Sequence, residues 1–175
     1  MGFSVAWLAV PREAKAETLR ALGLRETGDR KHMPESPFLG SDLPTGWYLL
    51  WFDEASPAAL KPESLRSISS GTELFACQVE EHAMCSTAAH WVDGGERWFV
   101  AHDSEDGLTS LEVIGSPPAA LEPIRAKQMA LQQGVTDVDY VFDVPLALAE
   151  TFVGFRHEGA FDDADGEMFT VLAPR

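Results

Sequence analysis

The sequence predicts an α+β domain: a mainly antiparallel sheet with three or four helices packed largely on one face. Three observations carry this. Apolar runs of strand length recur at 3–10, 47–52, 74–84, 86–92, 97–103 and 108–115, each bounded by turn or charged residues. Several follow one another through short connections, which makes neighbours antiparallel. Between and after them lie helical stretches opened by proline and closed by glycine. A chain of 175 residues fits a single domain over 1–175, with 155–175 as its acidic tail.

The elements follow in order. Residues 3–10 form the first strand. Pro11 suits the first turn of a helix that runs to Leu22, buries Leu19 and Leu22, and is capped by Gly23. A short strand at 24–30 precedes a long loop, 31–46, rich in proline, glycine and serine. Gly46 releases Trp47-Tyr48-Leu49-Leu50-Trp51-Phe52, too short for a membrane and read as a central strand. A helix at 62–69 turns Leu65 and Ile68 inward and stops at Gly71. In the strand 108–115, Leu111 and Val113 share one face and Glu112 takes the other. Ser116-Pro117 starts a helix to Gln133 with Leu121, Ile124, Gln128 and Leu131 as its stripe, its start delayed or kinked by Pro123. Asp143 caps a last helix, 144–153, closed by Gly154, and a short strand falls at 168–172.

The stretch 72–103 holds both cysteines, three of the five histidines and two of the five tryptophans. Asp93-Gly94-Gly95 marks a hairpin turn. With Gly94-Gly95 as its loop, Trp91 pairs with Trp98 on one face, and Ser86 lies opposite Asp103. The segment 74–84 is one bent or bulged strand, or a hairpin turning near Glu81. The first places Cys77 and Cys85 about 26 Å apart; the second sets them opposite each other. The lack of Gly, Asn, Asp and Pro there favours the continuous strand.

The net charge of −15, from 13 basic and 28 acidic residues, argues against nucleic acid or an anionic membrane as partner and permits a basic protein. No apolar run approaches the roughly 20 residues that span a bilayer. Residues 1–10 lack a basic leader region, and two cysteines without a secretion signal point to the cytoplasm. The combination of Gly46-Trp47-Tyr48, Cys77-Gln78-Val79-Glu80-Glu81-His82, 98–103 and Phe155-Arg156-His157 resembles a group of uncharacterised bacterial proteins, over most of the chain. The resemblance implies a bacterial cytoplasmic origin and a single domain. It carries no functional residue.

The residues bear on four chemistries. Cys77, His82, Cys85, His90 and His102 are metal-ligating types, but Cys-x4-His-x2-Cys matches no zinc spacing and strand alternation scatters them, so free thiols, no metal and no cofactor are expected. Glu80, Glu81, His82, His102 and Asp103 form a candidate acid–base group if the strand bends near Glu81; no nucleophile elbow or phosphate loop accompanies them. The acids 162–167 fail the EF-hand pattern, because Phe161 and Leu172 occupy ligand positions. Asp162, Asp163 and Asp165 with Trp47 offer an acidic surface with an aromatic anchor, although tryptophans in such runs are more often core. The sequence therefore favours a non-enzymatic cytoplasmic protein that binds a basic protein through this acidic surface. The alternative is a small hydrolase-like or ligand-binding enzyme using the Glu80/His82 and His102/Asp103 region.

Overall fold

A computed structural model describes residues 2–32, 34–159 and 168–175. Among them, nine strands form one sheet: β1 (Ser4–Pro11), β2 (Leu24–Lys31), β3 (Phe38–Asp42), β4 (Trp47–Phe52), β5 (Glu73–Glu80), β6 (Cys85–Val92), β7 (Gly95–Asp103), β8 (Glu112–Gly115) and β9 (Phe169–Pro174). The order is β2-β9-β3-β4-β1-β5-β6-β7-β8, and every pairing is antiparallel. Four helices accompany it: α1 (Lys15–Ala21), α2 (Pro62–Ile68), α3 (Leu121–Gln132) and α4 (Asp143–Val153). The α+β class and the antiparallel sheet are as the sequence predicts. The two long helices, α3 and α4, lie together on one face, and the short α1 and α2 lie on the other. Among the described residues no helix is long and apolar enough to cross a membrane.

β1 is central because it is apolar on both sides. Val5, Trp7 and Ala9 join Leu49, Trp51, Cys77 and Val79 in the core under α4. Ala6, Leu8 and Val10 join Tyr48, Leu50, Phe52 and Leu74 in the core under α1 and α2. A strand between two covered faces needs no polar side, so β1 and β4 read as unbroken apolar runs. Burying each large apolar side chain there stabilises the fold by about 1.5–3 kcal/mol.

Several expectations are corrected. The segment 74–84 is a hairpin: Glu80 faces Cys85 across a four-residue turn, and Cys77 faces Ala88. The cysteines are therefore neither far apart along one strand nor opposite each other. Met84 closes the turn at φ 50, a conformation usually left to glycine or asparagine. Tertiary bonds hold it instead. Glu81 N–H donates to Phe3 O at 2.9 Å, Ser104 N–H to Met84 O at 3.2 Å, and the Ser104 hydroxyl to Ala83 O at 3.1 Å.

The β6–β7 turn is Asp93-Gly94, with φ 49 and 74, as a type I′ turn requires. Val92 then faces Gly95 and Trp91 faces Glu96, and a bulge resets the register so that His90 faces Trp98 and Ser86 faces His102. Trp91 and Trp98 do not pair. They enter the cores on opposite faces of the sheet. The expected loop 31–46 contains β3, which pairs with β4 and β9. On α3, Leu131 is 44% exposed, and Gln132 is the buried residue of that turn. Its amide donates to Val135 O and Val138 O and accepts from Tyr140 N–H. β8 is exposed throughout, so Val113 faces no core.

Candidate functional site

The candidate site forms where the chain doubles back after α4. Gly154 ends the helix, and the Thr45 hydroxyl donates to Val153 O at 2.6 Å, fixing that corner. The chain then crosses back over β1. Phe155 stands edge-on to Trp7 (5.7 Å) and Trp51 (6.3 Å), and His157 edge-on to Phe3 (5.1 Å, 87°). This lays His157 on the β5–β6 turn.

There His157, Glu81 and Glu158 converge, with one ligand atom from each lying within 4.8 Å of the others. His157 is 1% exposed. Its Nε2 is 3.2 Å from Glu81 Oε1, while its Nδ1 is buried without a hydrogen-bond partner. Glu81 Oε2 accepts from Phe3 N–H at 2.8 Å, so that carboxylate is held at both oxygens. Glu158 is exposed and accepts from Arg156 Nη2 at 2.8 Å. Arg156 also meets Asp143 (2.9 Å) and Glu150 (3.5 Å). Burial alone would lower the Arg156 pKa, but these surrounding carboxylates outweigh it and hold the guanidinium charged. One arginine thus faces three carboxylates beside a fourth, Glu81, and the local field favours a cation.

The other sequence-predicted residues scatter. Glu80 accepts from the Ser4 hydroxyl and from His82 N–H, and these bonds lower its pKa. His82 is exposed on the same turn. A Cβ at Gly2 would lie 3.1 Å from Glu81 Oε2 and 3.6 Å from His82 Cε1, so both side chains flank Gly2. His102 is buried on the α4 side of the sheet, with Nδ1 donating to Ser110 O at 2.7 Å and Nε2 2.8 Å from Asp139 Oδ2. Ser86 faces it across the strands but donates to Phe142 O at 2.6 Å. A serine, a histidine and an aspartate are thus neighbours, but both ring nitrogens and the hydroxyl are already engaged, which makes the group a buried structural staple.

Asp103 faces Cys85 and accepts from Glu105 N–H. Both cysteines are free. Burial raises the Cys77 pKa, and burial followed by Asp103 pushes Cys85 up to about 11. Neither is a ready nucleophile. His90 pairs with Glu73. Cys77, His82, Cys85, His90 and His102 therefore share no common centre, and the ligand cluster that does form draws on other residues.

The binder reading is overturned, and with it the expectation that the chain is not an enzyme. Trp51 is core, and Trp47 is half-buried with its ring edge-on against Phe75. Asp162, Asp163 and Asp165 lie outside the described residues. The histidine–carboxylate cluster is a site of reactive and ligating groups, which an acidic docking face does not explain. Sequence reasoning reached Glu81 but missed His157 and Glu158. A His-Glu pair just past the glycine stop of a helix was the available signal. Comparison with known protein families, curated proteins and solved structures finds no match to this chain.

Proposed function

We propose that Glu81, His157 and Glu158 hold a divalent cation and that the chain is a small metal-dependent enzyme of the hydrolytic type. The convergence of one imidazole and two carboxylates within 4.8 Å, on a histidine buried to 1%, carries this reading. Three protein ligands leave coordination positions for water and substrate, the pattern of catalytic sites. An imidazole with two carboxylates suits zinc or manganese better than magnesium or calcium. A bound cation would lower the pKa of its water and supply hydroxide near neutral pH. Phe3 N–H orients Glu81 by its other oxygen.

The donor set also limits affinity. If His157 ligates through Nε2, its proton sits on Nδ1, which has no acceptor. That costs about 1–3 kcal/mol, so micromolar rather than nanomolar binding is expected. Calorimetric titration tests the reading. One equivalent of zinc or manganese should bind, magnesium and calcium far more weakly. Glu158→Gln, on an exposed residue, should weaken binding about tenfold or more while leaving the circular dichroism unchanged. Hydrolysis of chromogenic carboxylic and phosphate esters should then depend on the added metal. No saturable binding at 1 mM zinc or manganese would overturn the proposal.

A further inference from the structure

A cavity of about 420 Å³ opens at the other end of β5, between β4–β7 and the end of α4. That volume lies in the range of small-molecule sites. Its floor is Phe75. The His90 ring lies parallel to it at 4.3 Å (9°), and Phe152 lies parallel to it at 5.2 Å (14°). Trp47 stands edge-on to it at 5.3 Å, and Trp98 is tilted at 6.1 Å. Phe152, on α4, remains 39% exposed. An exposed phenylalanine continuing a parallel stack is a surface for another flat ring.

The polar groups are unequally engaged. Glu73 accepts from His90 Nε2 at 2.9 Å, so these two satisfy each other. Arg97 lines the same cavity, and its guanidinium has no side-chain partner among the described residues. Its position follows from the bulge: Trp91 faces Glu96 and His90 faces Trp98, which leaves Arg97 as the extra residue. Bulges re-aim a side chain and recur beside sites. The rim is also fixed. Gly115 holds φ 77, and a Cβ there would sit 2.3 Å from Arg97 O. Ser116 N–H donates to the same oxygen at 3.0 Å.

We propose that this cavity binds a small planar aromatic anion, its ring on the Phe75–Phe152 stack and its acidic group on Arg97. The inference is independent of the metal reading. The net charge of −15 opposes an anion at long range, but screening within about 8 Å at physiological salt leaves the short contacts to decide.

Calorimetry with 2-naphthoate, 2-naphthyl phosphate, the neutral 2-naphthalenemethanol and the cation 2-naphthylmethylammonium tests it in the full chain. At least one anion should bind roughly tenfold tighter than the alcohol, and the better of the two names the head group. Arg97→Ala should erase that difference without touching the alcohol. Phe152→Ala should weaken every probe. Both residues are exposed, so neither change should unfold the protein. An anion no tighter than the alcohol, a preference for the cation, or binding indifferent to Arg97→Ala would each overturn the proposal.

Discussion

Replacing Asp139 by alanine should be among the most destabilising single changes in this protein. The His102 side chain is fully buried, and Asp139 shows 4% of its side chain. Ser110 O can only accept, so His102 Nδ1 carries a proton, and Nε2 faces the carboxylate at 2.8 Å. Asp139 also accepts from Phe142 N–H at the start of α4. Breaking a buried pair at one partner costs about 3–5 kcal/mol, because the other is left unsatisfied. A domain of this size loses about 2–4 °C per kcal/mol, so Tm should fall by roughly 6–20 °C.

Asp139→Asn is the control. Its amide can donate to Nε2 while its oxygen keeps the Phe142 N–H, so both hydrogen bonds survive, and the loss should stay below about 1.5 kcal/mol. Replacing His102 and Asp139 together by leucine should recover much of what either single change costs. Urea unfolding followed by tryptophan fluorescence measures all four proteins. Refutation would be Asp139→Ala within about 1 kcal/mol of wild type, or Asp139→Asn as damaging as alanine.

Four further outcomes are expected. Gly40 lies under the Tyr48 ring, and an added Cβ would stand 1.9 Å from the phenol oxygen; Gly40→Ala should cost about 1–3 kcal/mol, and Tyr48→Phe should rescue part of it in chemical denaturation. That hydroxyl is buried without a partner, so Tyr48→Phe alone should be neutral or slightly stabilising. Cys85, pushed up to about 11, is more fully protonated at pH 8 than an ordinary thiol; its iodoacetamide labelling should rise towards a midpoint near pH 11, and Asp103→Asn should move that midpoint down. If zinc binds with a Kd of about 10 μM, 1 mM metal should stabilise the fold by about 2.7 kcal/mol, raising Tm by roughly 5–10 °C in differential scanning fluorimetry, and a tenfold weaker Glu158→Gln should lose about half of that gain.

The parts of the fold written in local signals were readable. β4 announced itself as six large apolar residues, and α4 as an aspartate start with a glycine stop. The β5–β6 hairpin was not readable, since Glu-His-Ala-Met contains no turn former and depends on Phe3 and Ser104. β3 was hidden because Gly40 interrupts its pattern to admit Tyr48. The Trp–Trp register failed because the two-residue turn shifted onto Asp93 and a bulge absorbed Arg97. The site was half legible for a similar reason. Glu81 stood in a conspicuous polar turn, but its partner His157 comes from 76 residues further along. Only the return of the chain over β1 brings them together.

The sheet order carries a consequence for synthesis. β2 reaches the rest of the sheet only through β9, which lies between it and β3. Residues 24–31 therefore cannot dock until 169–174 have left the ribosome. At 5–20 residues per second, that wait is roughly 7–30 s. β2 is suited to waiting, since Leu24 is its one buried residue and the rest is polar or partly exposed. The hazard falls on β3 instead. Its outer edge stays open for the same interval, with Phe38 and Leu39 beside it, and any extended apolar segment can pair there first. A ribosome stalled before residue 169 should present a nearly complete domain with one adhesive edge, which chaperone capture on arrested chains would reveal.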